Sequence, residues 1–232
     1  MNKNGSHVGF VISFVLFVTF IIFMYAILSS KADLGQEKEN SLNYVKAEVI
    51  ERVSENLTSV SVAVNNPDSN CVGLDNFLST TGITDRFIVR SDSGNVLGAG
   101  ISGQSLQVAR EGNTFFRVYS SEEFPKITLS LSSSGCTNSG YTLGLIRDSK
   151  DIFESKVLEL FENYTEDYEA LKRDMKISSG DEFGLRFTHS DGREIKTPEK
   201  NVTINVYVER VAIQYIKTNA ARESGFIDII VW

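Results

Sequence analysis

The chain has 232 residues, 41% of them hydrophobic, and 23 basic side chains stand against 30 acidic ones for a formal charge of −7. Such an acidic balance, with no clustered Lys or Arg, argues against nucleic acid as a partner, which demands a basic footprint. Two cysteines are too few for a zinc cluster.

Residues 8–28 read VGFVISFVLFVTFIIFMYAIL, and no charge interrupts the sequence from 4 to 30. About 20 apolar residues in a helix cross the ~30 Å hydrocarbon core of a bilayer. Phe10, Phe14, Phe17, Phe20 and Phe23 leave no polar face, which argues against a helix lying in the interface. A cleaved secretory signal is the competing reading. Its apolar core is usually roughly 7–15 residues and ends at a small-residue site, which residues 26–30 reproduce poorly. The expectation is a leader over residues 1–7 and a transmembrane helix over 8–30. Lys3 precedes the span, while Lys31 is followed closely by Asp33, Glu37 and Glu39, a bias that favours a cytoplasmic N-terminus. The large C-terminal portion is then extracytoplasmic, where Cys71 and Cys136 are expected to form a disulfide. Asn56, Asn163 and Asn201 each begin an Asn-x-Thr triplet and are glycosylation candidates.

Past the span, Leu42, Val45, Val49, Val53, Leu57 and Val60 recur every three or four residues among Lys46, Glu48, Glu51, Arg52 and Glu55. That is the pattern of an amphipathic helix, expected to continue the span over 31–64. Near Leu57 the period shifts, and Val60, Val62 and Val64 alternate at strand spacing. From 65 to 147, the runs RFIVRSD, NVLGAGI, SLQVARE, TFFRVYS, KITLSLS and YTLGLIR are separated by turn clusters such as 91–95 and 111–113. Short strands so spaced predict a small sandwich or barrel. Residues 148–232 are expected to form a helix plus antiparallel sheet. Phe153, Val157, Leu160, Phe161, Tyr164, Tyr168, Leu171 and Met175 fall at helical spacing over 149–177, an aromatic stripe that reads as packed core. Phe183, Leu185 and Phe187 then alternate, Asp191-Gly192 offers a hairpin turn, and Val202, Ile204, Val206 and Val208 alternate again. The closing FIDIIVW is too apolar for an exposed edge and is expected inside the sheet. The fold class is α+β: a long N-terminal helix, transmembrane in its first half and amphipathic in its second, then a β-rich extracytoplasmic head with one further helix.

Groups able to carry catalysis are scarce. His189, the single histidine beyond the span, sits in a His-Ser-Asp-Gly turn and reads as solvated, with no Ser or Cys nucleophile set up for it. Residues 98–103 look like a Gly-rich phosphate loop but lack the following Lys, and read as a turn or bulge. Asp181 with Glu182, or Asp92 with Asn95, offers oxygen ligands, yet neither run matches a calcium loop. No catalytic, cofactor-binding or metal-binding residue is assigned, and no cofactor or enzymatic activity is expected.

This order of parts, a short polar leader, a Phe/Ile/Val-rich span, an amphipathic continuation and a β-rich exterior, resembles the type IV pilin-like proteins, archaeal ones especially. In that family a membrane peptidase cuts a leader that ends in a basic and a small residue. Lys3, Asn4 and Gly5 followed by Ser6 look like such a site, with processing between Gly5 and Ser6. Many members carry Glu at the fifth mature position, where this chain has Phe10. The resemblance implies that the apolar half-helices pack into a filament core while the β domains face outward. Phe10, Phe14, Phe17, Ile21, Met24 and Leu28 fall on one near-3.5-residue seam suited to helix–helix contact. The expected function is a non-enzymatic, single-pass, membrane-anchored cell-surface protein, structural or adhesive. Its partners are the lipid bilayer, copies of itself and an unidentified surface ligand. The alternative is a receptor-like extracytoplasmic binding module on an uncleaved signal anchor.

Overall fold

The computed structural model describes residues 5–65, 70–127, 136–138, 140–198 and 206–232, with the side chains of the first helix described at 9–27 and from 37 onward. That helix, α1 (Gly5–Arg52), is 48 residues long, about 70 Å at 1.5 Å per residue. It stops at Arg52 rather than at the expected 64. Val53 N still bonds Val49 O at 3.1 Å, and Ser54 Oγ bonds Ile50 O at 2.6 Å. The chain then passes directly into β1 (Ser54–Val64). Thr58, Val60, Val62 and Val64 are β-branched, stiff at χ1 and better placed on a pleated surface than against a helical turn. Leu57 and Val60 continue the helical spacing by coincidence and belong to this strand, whereas Leu42, Val45, Val49 and Val53 are the true buried stripe.

The first half of the head contains β2 (Cys71–Leu74), the one-turn helix α2 (Phe77–Thr81), β3 (Phe87–Ser91), β4 (Val96–Leu97), β5 (Ala99–Ser102), β6 (Ser105–Ala109) and β7 (Phe115–Ser120). There follow β8 (Thr137–Asn138), the long β9 (Tyr141–Phe153), α3 (Glu154–Glu166), α4 (Tyr168–Asp174), β10 (Phe183–Thr188), β11 (Glu194–Lys196), β12 (Tyr207–Ile216) and β13 (Arg222–Val231). Nine strands form one sheet in the order β11-β10-β13-β12-β9-β1-β7-β3-β4, and four form a second, β5-β6-β2-β8. The architecture is α+β, a long helix followed by a β-rich domain with a curled sheet.

The boundary expected between residues 147 and 148 falls inside β9, which pairs with β1 along nearly its whole length. The two regions therefore share a sheet, while each keeps a large core cluster of its own and both contribute to a smaller third one. Beneath the C-terminal strands, Phe183, Leu185, Tyr215, Ile227 and Ile229 pack against Val45 and Val49 of α1 and against Val157, Leu160 and Leu171 of α3 and α4. Val60, Val62, Val89, Phe116 and Val118 of the large sheet and Val72, Leu74, Leu106 and Val108 of the small one belong to a second cluster. On the opposite face of the large sheet, Leu57, Phe124, Phe153, Ile216 and Ala220 form a third cluster, where the turn after β12 folds over the strands. The run NVLGAGI is divided at Gly98, so that β4 joins the large sheet and β5 the small one. In residues 98–103, read as a turn or bulge, four are therefore strand, and Gly103 supplies the β5–β6 turn with φ +61°.

The helix expected over 149–177 begins only after Phe153, because residues 149–153 continue β9 beside β1. It breaks at Asp167, whose Oδ1 accepts a 2.9 Å hydrogen bond from Ala170 N and caps α4. One further helix was expected there and two are found. The Asp191-Gly192 hairpin is present between β10 and β11, with Gly192 at φ +84°. β13, which carries FIDIIV, lies between β10 and β12. Of the expected strand at 126–132, Lys126 bridges Arg86 and residues 128–132 lie outside the described residues, as do Val202 and Ile204. Cys71 and Cys136 are joined in a disulfide, Cα to Cα 4.5 Å, beside the parallel pairing of β2 with β8.

Candidate functional site: an apolar rod clamped to the head

Among the described residues one helical segment, Gly9–Ile27, is long and apolar enough to cross a membrane, and none of it is buried. Its 19 residues rise about 28 Å, close to the thickness of a bilayer's hydrocarbon core. Phe10 is 74% exposed, and Phe14, Phe17, Ile21 and Met24 along the same seam are exposed as well. Leu28 continues α1, and its side chain lies outside the described set. Gly5 and Ser6 open the helix, while Lys3, Asn4 and the candidate Asn201 lie outside the described residues. Asn56 on β1 and Asn163 on α3 are both exposed. An apolar surface bare on every side of a helix far exceeds the few hundred Å² that a soluble monomer exposes in one patch.

The second half of α1 is held as firmly as the first is bare. Leu42, Val45, Val49 and Val53 are buried in the head, and at about 1.5–3 kcal/mol per side chain they supply roughly 6–12 kcal/mol of docking. Polar contacts fix the register. Lys38 Nζ lies 2.5 Å from Asp181 Oδ1, and Ser41 Oγ donates to the other oxygen of the same carboxylate. Tyr44 donates to the Met175 carbonyl at 2.9 Å, and Lys46 pairs with Glu209 of β12 at 2.9 Å. Burial pushes the Asp181 carboxyl upward, but the hydrogen bonds from Lys38 and Ser41 outweigh it and hold the group below its ordinary value.

The sequence shows the apolar stripe of this clamp but not its polar half, because Lys38 and Asp181 are 143 positions apart. Asp181 and Glu182, weighed there as metal ligands, have other work: Glu182 pairs at 2.8 Å with the buried Lys172. Asp92 is exposed beside the β3–β4 turn. Among the described residues no three His, Cys, Asp or Glu side chains stand together as a metal site.

His189, expected in solvent, is buried. Its ring packs against Phe187, centroids 4.3 Å apart, and edge-on to Tyr215. Nε2 faces Glu154 at 3.3 Å and Nδ1 faces the Arg193 carbonyl at 3.2 Å, so both ring nitrogens are engaged. Ser190, its neighbour, donates instead to Glu223. The arrangement pins the start of α3 to the hairpin rather than activating a nucleophile.

No family model, curated protein or solved structure matches the chain.

Proposed function

We propose that the protein is a non-enzymatic, single-pass, membrane-anchored cell-surface protein of pilin-like build, with its N-terminus cytoplasmic and its head outside, serving a structural or adhesive role. One observation carries the reading. A single continuous helix is bare and apolar over Gly9–Ile27, and its later side chains Leu42, Val45 and Val49 are sealed into the head's core. A helix so divided cannot fold its apolar half back without breaking its own backbone hydrogen bonds. The bare half therefore needs another medium, either lipid or the equivalent half-helices of neighbouring copies. Lipid tails solvate Phe as well as a neighbour does, so packing along the Phe10–Phe14–Phe17–Ile21–Met24 seam would rest on close van der Waals fit. The disulfide agrees with an oxidising exterior.

The test is mass spectrometry of the chain recovered from cells, together with shearing of the cell surface. The expected result is a mature N-terminus at Ser6 and recovery of the chain in sheared filaments. A membrane-bound chain that retains Met1 and cross-links only as a monomer or small oligomer overturns the filament reading in favour of the receptor-like anchor. A full-length chain that is monomeric in buffer without detergent overturns both.

A further inference from the structure

Three arginines converge where the turn between β12 and β13 folds over the outer face of β3 and β7. Arg90 and Arg117 are directly opposed across the β3–β7 ladder. With Arg222, Tyr119 and residues of the two turns, Asp92, Gly94, Ala220 and Ala221 among them, they line a cleft of about 250 Å³. Like charges placed directly opposite destabilise a sheet, and the local balance does not cancel them. Arg222 is matched by Asp151 at 2.9 Å, and Asp92 stands at the rim. Arg90 donates to two neutral acceptors, the carbonyls of Gly94 and, at 3.3 Å, Asn219. These contacts orient the guanidinium without neutralising it. Arg117 has no carboxylate within ion-pair distance among the described residues, and lies 6.0 Å over the Phe115 ring. Within a chain of charge −7 the cleft is left with a positive surplus.

Its walls are also fixed in advance. Gly94 takes φ +86°, and a Cβ there would sit 3.4 Å from the Arg90 guanidinium. Ala220 is held at φ +58°, a left-handed conformation unusual for a residue with a side chain, and is buried in the third cluster. Backbone strain of this kind persists where the surroundings over-determine it, and it gathers at binding sites. A guanidinium already oriented loses less freedom on meeting a planar, two-oxygen group.

We infer that this cleft binds the carboxylate of a small acidic ligand, with Arg117 and Arg90 gripping the oxyanion and Tyr119 flanking the rest of the molecule. The inference concerns the head alone and stands whether or not α1 polymerises. It is tested by calorimetric titration of the full chain in detergent micelles at constant ionic strength, with sodium glucuronate, sodium acetate and glucose as probes. Glucuronate is expected to saturate one site with a dissociation constant on the order of 1 mM, and glucose is expected to show no heat of binding. R117Q, which removes an exposed side chain, is expected to weaken glucuronate about tenfold or more with an unchanged thermal melt. D92N, which removes the rim carboxylate, is expected to tighten it. Acetate binding as tightly as glucuronate assigns recognition to the carboxylate alone, while weaker acetate binding adds the ring; either result supports the site. Absence of saturation by ~50 mM glucuronate, fifty times the expected constant, overturns the inference, as does equal binding by glucose or by R117Q.

Discussion

Gly225 on β13 stands where a methyl group would meet the Thr188 carbonyl oxygen at 2.5 Å and Tyr215 Cε1 at 3.1 Å. The first obstacle is backbone of the paired strand β10, which cannot swing away as a flexible side chain can. G225A is therefore expected to destabilise the head by about 1–3 kcal/mol, read as a lower denaturant midpoint with an unchanged slope. Asp181 gives a residue-scale expectation of a different kind. Its carboxyl titrates below the ordinary value in the folded protein, so its pairing with Lys38 and Ser41 contributes stability above the unfolded carboxyl pKa of about 3.9. That contribution falls away as the pH drops through the lower folded value. Asp228 behaves alike, held down first by its hydrogen bond from Arg210. Below about pH 4 the docked half of α1 is expected to gain hydrogen exchange ahead of β13, and D181N is expected to show the faster exchange already at neutral pH. Equal exchange of α1 in D181N and the parent chain at neutral pH would remove Asp181 from the clamp.

Among the elements, the small sheet depends most on a covalent tie. Its strands β2 and β8 contribute few residues, and the disulfide joins them across 65 positions. On chain-entropy grounds a loop of that length is worth about 4 kcal/mol. The double variant C71S with C136S is expected to lose up to that amount, with exchange protection falling first in β2 and β6 while α1 and β13 stay protected. Uniform loss across the head would mean that the small sheet is not a separate unit. The elements legible in the sequence are those whose period is unopposed: β3, β6, β7 and β10 alternate over five or six residues between turn signals. Leu57 and Val60 fit a helical and an extended pattern at once, and only the β-branched run after them decides for a strand. Phe153 likewise falls in step with the α3 stripe while ending β9. The two-residue β8 is too short to show a period. The rod of the candidate site could be read directly, since its signal lies in consecutive residues. Its clamp, and the opposition of Arg90 and Arg117, exist only once strand register and tertiary docking are set.

For the whole molecule, α1 belongs to two environments, and its division makes them separable. The stripe Leu42, Val45, Val49 and Val53 fills the head's core, and the roughly 6–12 kcal/mol it contributes is comparable to the 5–15 kcal/mol total stability of a typical domain. The bare segment Gly9–Ile27 contributes nothing to that core. Removing residues 1–35 should therefore leave a head that keeps its stripe, folds and stays monomeric in buffer without detergent. Removing residues 1–53 takes the stripe with the rod and uncovers the apolar face of β12 and β13 on which α1 packs, so that product is expected to aggregate or to lack a cooperative melt. The single variant V49D, in the chain beginning at 36, tests the same division without shortening α1 further. It places a charge among buried apolar side chains and is expected to abolish the cooperative transition, while an exposed substitution on the same helix, E39Q, leaves it in place. If the 54–232 fragment melted cooperatively as a monomer, α1 would be an appendage to a self-sufficient head, and its continuity from bare rod to core could no longer carry the proposed function.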